Sequence, residues 1–321
     1  MSQTTLPLTR KTAPLSLEPK SPSAFFLLIK TKPIIGFGYV LLALMIFGAI
    51  FAPYLSPYDP LMPDLMNYLQ APSWSHWLGT DNTGMDIATR ILYAPRTDLV
   101  IALWGTVISA VIGAPLGALV GYYERRRGWR SALSTFVMRA ADVLQAFPVF
   151  VFAIALVAVF GQSLGSIVAA IAFVNIPIYL RLMRSQVLSI SSMRYVEAAY
   201  IAGASDFAIL RRHIIPNSIA AALAQLSINV GWSVLLTAAL SFVGAGVVAP
   251  TPEWGSMIAA GFQSIMTGQW WPSVFPGVAL ALAVFSFGLV GSSIEVLTDP
   301  AQCRKLRSDH NRKLKRKGAV A

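Results

Sequence analysis

Cysteine is nearly absent from this chain: Cys303 is the only one in 321 residues. A single thiol excludes an internal disulfide framework and a thiolate metal site. Histidine is almost as scarce. His76, His213 and His310 stand far apart in the sequence, which argues against a metal centre built from them. There is no Ser/His/Asp set, no HExxH, no CxxC and no GxxxxGK[ST], so the chain has neither a hydrolytic constellation nor a nucleotide site of its own. Charge is thin as well. Asp, Glu, Lys and Arg together make 12% of the residues against 55% hydrophobic, and the mean hydropathy is +0.62. The length alone would allow two soluble domains, but this composition excludes them. The apolar runs are continuous rather than alternating, which points to an all-α, multi-pass membrane protein. No span carries an acid at mid-depth and no inverted repeat is visible, the features a proton- or sodium-driven carrier would need.

What is present divides the chain into regions. Residues 1–32 form a polar N-terminal tail. Its first 20 residues are rich in Pro, Ser, Thr and Lys and read as disordered. Ser23 to Lys30 reads as a short interfacial helix anchored by Phe25 and Phe26. The first apolar run follows this tail and reads as a retained anchor rather than a cleaved signal. Residues 33–98 hold that first span (Ile34 to Pro53) and a long polar segment. Within the segment, Asp86 to Leu99 reads either as an amphipathic helix on the membrane surface, with Ile87, Ile91, Leu92 and Tyr93 seated in it, or as a contact for a binding protein. Residues 99–298 are the core, with spans at Leu99 to Tyr122, Val143 to Phe160, Leu164 to Leu180, Ser218 to Gly246 and Val274 to Leu297. Residues 299–321 form a basic tail.

Basic residues set the orientation. Of 25 Lys and Arg, all but Arg90 and Arg96 fall in the N-tail, the segment after span two, residues 194–217 with their approaches, and the C-tail. By the positive-inside rule these lie together on the cytoplasmic side, termini included. The net charge of +11 is then a lipid-headgroup signal, not a nucleic-acid arm.

Between spans four and five lies a polar insert, RYVEAAYIAGASDFAILRRHIIPN, over residues 194–217. Glu197 to Ala202 reads as a short helix stopped by Gly203. Ser205 offers an N-cap to a second helix, with Asp206 at its positive end and Arg211 and Arg212 at its negative end. Pro216 is expected to end that helix. A DNA-reading helix-turn-helix is the rival, disfavoured by the flanking spans. The order Glu197-Ala198-Ala199, Gly203, then His213-Ile214-Ile215-Pro216-Asn217 resembles the EAA loop of the dipeptide, oligopeptide and nickel branch of bacterial ABC importers. Two further stretches are similar to the same branch: HWLGTDNTGMDIATRILYAPRTDL, with Met85 where the pattern has arginine and Pro95 in an altered turn, and LSFVGAGV with PTPEWGSM.

The resemblance implies a type I ABC-importer transmembrane fold with six helices. It also implies a second permease subunit, two cytoplasmic ATPases carrying ATP and Mg, and a periplasmic or extracellular solute-binding protein. The protein would lie in the bacterial inner membrane. Glu197 would meet a basic ATPase residue, Ala198 and Ala199 would allow close approach, and Gly203 would permit the turn. Arg211 belongs to the same coupling surface, and Arg212, His213 and Asn217 would brace it. The alternative is a self-contained carrier or channel.

Two patterns concern the spans themselves. Gly105, Ser109, Gly113, Gly117 and Gly121 recur at four-residue steps, a seam that lets a neighbouring helix approach closely. Gln225, Asn229, Ser233, Thr237 and Ser241 form a polar row on span five. With Asn175 on span four, that row either hydrogen-bonds between helices or lines a translocation path. Trp254, Trp270 and Trp271 suit an outer interface belt. Glu253 is expected to face water or a binding protein.

Overall fold

The computed structural model describes residues 24–124, 128–298, 302–306 and 308. The expected disordered tail, the arginines at 125–127, His310 and most of the basic C-tail lie outside the described residues. All regular structure among the described residues is helical, apart from one isolated bridge between Thr80 and Asp86. In chain order the helices are α1 (Ala24–Thr31), α2 (Pro33–Leu55), α3 (Ile87–Tyr123), α4 (Trp129–Ala146), α5 (Val149–Phe160) and α6 (Leu164–Ser191). There follow α7 (Arg194–Ile201), α8 (Asp206–Ile209), α9 (Ile215–Phe242), α10 (Trp254–Ile265) and α11 (Trp271–Thr298). Five segments are long and apolar enough to cross a membrane: α2, α3, α6, the run from α8 through α9, and α11. The pair α4 and α5 makes a sixth if the two count as one bent span.

The first helix pair turns on Pro33, which suits the first turn of α2 because its missing N–H would have no partner there. Pro53 sits inside α2 and cannot donate to the carbonyl of Ala49. Arg96 of α3 supplies the missing donor, with Nε 2.6 Å from Ala49 O, and its Nη2 lies 3.0 Å from Ile50 O. This contact anchors α2 to α3.

Three spans depart from the boundaries the sequence suggests. First, Asp86 to Leu99 is not a separate surface helix but the first third of α3. Asp86 caps it by accepting from Thr89 N, and the helix then runs unbroken to Tyr123. At 37 residues it is about 55 Å long, well beyond the ~30 Å apolar core of a bilayer. Of the four residues expected at a membrane surface, Ile87 is buried in the core and Ile91 packs against it, while Leu92 and Tyr93 are half-buried; Thr89, Arg90 and Asp98 are buried against the rest of the chain.

Second, the expected third span from Val143 is broken at Phe147 and Pro148, and the two halves are bent by 92°. The cause is local: the residue before a proline is pushed out of helical angles, and Phe147 is extended at ψ 140°. Third, Pro216 does not end the helix before it. Leu210–Ile214 forms a π turn in which Ile215 N donates to Leu210 O, and Ile215 stays helical at φ −57°, ψ −47°. The wider turn relieves the clash between the proline ring and the preceding carbonyls, and Pro216 falls in the first turn of α9.

Helix α3 lies along α6, and α9 packs on α3, α6 and α11, while α10 is held by α9, α11 and α3. The core at one end gathers Ile87, Ala94, Val234, Trp254, Met257 and Ala283. Trp254 is therefore an internal side chain, 1% exposed, not part of an outer belt. Glu253 faces neither water nor a partner. It is fully buried and caps α10 through the N–H groups of Gly255 and Ser256.

Candidate functional site

Residues 194–217 fold into a compact insert on the end of the α3–α6 pair. Helix α7 closes in a Schellman motif: Gly203 takes φ +79°, its N–H bonds Tyr200 O at 3.0 Å, and Ala204 N bonds Ala199 O at 3.1 Å. Ser205 then accepts from Ala208 N and caps α8. Asp206, in the first turn of α8, is tied back to α3 by the Tyr122 hydroxyl at 2.8 Å and lies 3.7 Å from Arg130.

The two sides of the insert differ in chemistry. Its underside is apolar: Val196, Ile209, Leu210 and Ile214 pack on Ala118, Tyr122, Met183, Val187 and Ile190. Its outer side exposes Glu197, Ala198, Gly203, Arg211, Arg212, Pro216 and Asn217, with Ala199 and His213 half-buried. Ile201 and Phe207 stand among these charges at 79% and 72% exposure. Among the described residues neither Arg211 nor Arg212 has an ion-pair partner. Asn217 donates to His213 O at 2.6 Å, and the His213 ring lies 6.3 Å from that of Tyr195. Glu197 borders a crevice of about 520 Å³ with Tyr122, Ser191, Tyr200 and Ile209.

The platform beneath is closely packed. Gly105, Gly113, Gly117 and Gly121 all lie against α6, and an added Cβ at Gly117 would meet Leu180 O at 2.3 Å. At the end of the seam Arg184 donates twice to Glu124, both bonds 2.6 Å. Sequence reasoning counted Arg184 only as a positive charge; nothing local pairs it with an acid 60 residues away.

The polar row is drawn inward. Asn175 of α6 donates to Ser233 Oγ of α9 at 3.1 Å, and Thr106 of α3 meets the same oxygen at 3.1 Å. Thr237 bonds back to Ser233 O, Gln225 donates to Asn229 Oδ1, and Ser241 accepts from Val247 N. Asn175, Asn229, Ser233 and Thr237 are buried within this one chain.

At the opposite end of α3 the segment from Ser56 to Asp86 is folded by its own polar groups. His76 Nδ1 lies 2.9 Å from Asp86 Oδ1, and the His76 ring stacks on Tyr58. Arg90 reaches Pro60 O and Met85 Sδ, with Asp81 3.7 Å away. Met85 therefore sits inside this knot as an acceptor for Arg90.

These features can be set beside known proteins. Residues 113–302 match the model of the binding-protein-dependent transport system inner membrane component family. Residues 30–72 match the N-terminal TM domain of oligopeptide transport permease C. A dipeptide transport system permease of Alkalihalophilus pseudofirmus is 38% identical over 82% of this chain and 84% of its own. A probable D,D-dipeptide transport system permease of Escherichia coli is 36% identical over 85% of this chain and 89% of its own. A glutathione transport system permease of Pectobacterium atrosepticum is 38% identical over 82% and 84%. A solved amino acid ABC transporter is a distant likeness, at 18% identity and TM-score 0.47 over 66% of this chain. With helices long enough to span a bilayer, and with relatives matched over most of their length, the chain belongs to the binding-protein-dependent inner membrane component family, as a multi-pass permease subunit of an ABC importer.

Proposed function

We propose that this chain forms half of the translocation pathway of a bacterial importer for peptides or related small solutes, the peptide, nickel and opine class. Its partners are a second permease, two cytoplasmic ATPases that hold ATP and Mg, and an extracytoplasmic solute-binding protein. Both termini and the insert at 194–217 face the cytoplasm. The relatives, two of them dipeptide systems and one a glutathione system, support the solute class. The grouping of basic residues supports the orientation.

One observation carries the coupling role: the insert buries one apolar face on its own platform while leaving Ile201 and Phe207 bare among Glu197, Arg211 and Arg212. Burying those two side chains against a partner would contribute about 1.5–3 kcal/mol each. Glu197 meets a basic ATPase group, Ala198 and Ala199 let the partner come close, and Gly203 makes the turn between the two helices. Asn217 and His213 brace the π turn that joins the insert to α9. Asn175, Gln225, Asn229, Ser233 and Thr237 act as bonds within the bundle rather than as the lining of the path. ATP-driven closure of the ATPases would move the insert as one body with the α3–α6 pair. Glu197→Lys should leave membrane insertion intact and uncouple ATP hydrolysis from uptake. Wild-type uptake by that variant contradicts the reading.

A further inference from the structure

Two acids meet at the start of α10. Glu253 accepts from Gly255 N at 2.8 Å and from Ser256 N at 2.6 Å. Asp98 of α3 brings Oδ2 to Trp254 N at 3.2 Å. Three successive N–H groups thus hold two carboxyl groups at one helix end, and both side chains are fully buried. A helix N-terminus offers only about half an elementary charge, too little for two carboxylates.

Among the described residues no cation comes to their aid. Helices α2, α9 and α10 carry no charged residue, and α11 has only Glu295 near its far end. On α3, Arg90 is turned to Asp81 and Pro60, and Arg96 to the carbonyls of α2. In the segment before α3, His76 and Asp86 pair with each other. On α6, Arg181 and Arg184 bind Asp142 and Glu124, and the α4 cation Arg130 lies by Asp206. Glu124 follows Asp98 by about 39 Å of helix, so all of these, with Arg139 of α4, belong to the other end of the bundle.

The remaining oxygen is the informative one. Asp98 Oδ1 is buried with no donor, while its Oδ2 takes the N–H next to the two that Glu253 occupies, which makes the two carboxyl groups close neighbours. An acceptor against an acceptor repels unless a proton lies between them.

We propose that Asp98 and Glu253 form a proton-binding site, in which a proton on Asp98 Oδ1 is donated to the Glu253 carboxylate and clasps α10 to α3. With the proton bound, the pair carries one negative charge, spread over the N–H groups of Trp254, Gly255 and Ser256. When it is lost, two like charges face each other in a dry site and the start of α10 is pushed off α3. The clasp lies at the end of the subunit opposite the insert at 194–217, and it makes the hold of α10 on the bundle sensitive to pH.

The test is infrared spectroscopy and thermal denaturation of the full-length chain in its purified transport complex, across a pH series. Wild type should show a protonated-carboxyl C=O band at neutral pH. That band should fade as pH rises, together with a loss of thermal stability. Asp98→Asn keeps a donor facing Glu253, so it should remove the band and flatten the alkaline loss of stability. If Asp98→Asn does not assemble, Glu253→Gln is read in its place: it removes one of the two charges and should likewise flatten the alkaline limb. Absence of the band in wild type at neutral pH, its persistence in Asp98→Asn, or an alkaline limb unchanged in the assembled variant overturns the proposal.

Discussion

Replacing Gly117 by alanine tests how far the α3–α6 seam holds this fold together. A Cβ there would lie 2.3 Å from Leu180 O and 2.9 Å from Leu180 C and Cα. All three are backbone atoms, so no side chain can swing aside. Ordinary contact begins near 3.4 Å, and the two helices must therefore part locally by about 1 Å. Overpacking of this kind costs about 1–3 kcal/mol. Alanine also gains about 0.5–1 kcal/mol of helix propensity over glycine, which blurs the raw effect. Gly277 in α11 supplies the control, since a Cβ there meets nothing within 4 Å. Both variants gain the propensity term, so the difference between them isolates the steric cost. Denaturant unfolding in detergent should place Gly117→Ala about 1–3 kcal/mol below Gly277→Ala. Equal stability of the two variants would refute the reasoning, because the seam would then tolerate what its backbone contacts forbid.

Two other substitutions have stated outcomes. Asp86→Ala removes the cap of α3 and the partner of buried His76. The cap is worth about 1 kcal/mol and the orphaned ring about 1–3 kcal/mol, so limited proteolysis should cut the segment at 56–86 far faster. Ser233→Ala removes the oxygen shared by Asn175 and Thr106. At about 0.6 kcal/mol per interhelical bond, stability should fall by roughly 1 kcal/mol while the range of solutes taken up stays the same; an altered range would make Ser233 part of the path.

Much of the architecture could be read from local signals. Gly203 and Ser205 mark a helix stop and start because the φ of one and the hydroxyl of the other act within a few residues. The glycines of α3 announce a close approach through their four-residue period, and that contact is made with α6. Local rules misled at two prolines, in opposite directions. Pro148 breaks a run that hydropathy makes continuous, whereas a π turn carries the helix through Pro216. Burial of the acids was out of reach. Asp98 and Trp254 are 156 residues apart, and only the docking of α10 on α3 takes them from water. The bond between Arg184 and Glu124 was hidden for the same reason, since charge counting sees sign and not partner.

The central claim is that the insert at 194–217 faces the cytoplasm and takes mechanical work from a separate ATPase. The most direct measurement places one cysteine at Ile201, 79% exposed, in a chain whose sole native thiol, Cys303, is replaced by serine. Sealed vesicles of each orientation are treated with an impermeant maleimide, with and without the ATPase subunits. The expected result is labelling only where the cytoplasmic face is outward, and loss of that labelling when the ATPases are bound. Labelling from the opposite face, or labelling that the ATPases leave unchanged, would contradict it.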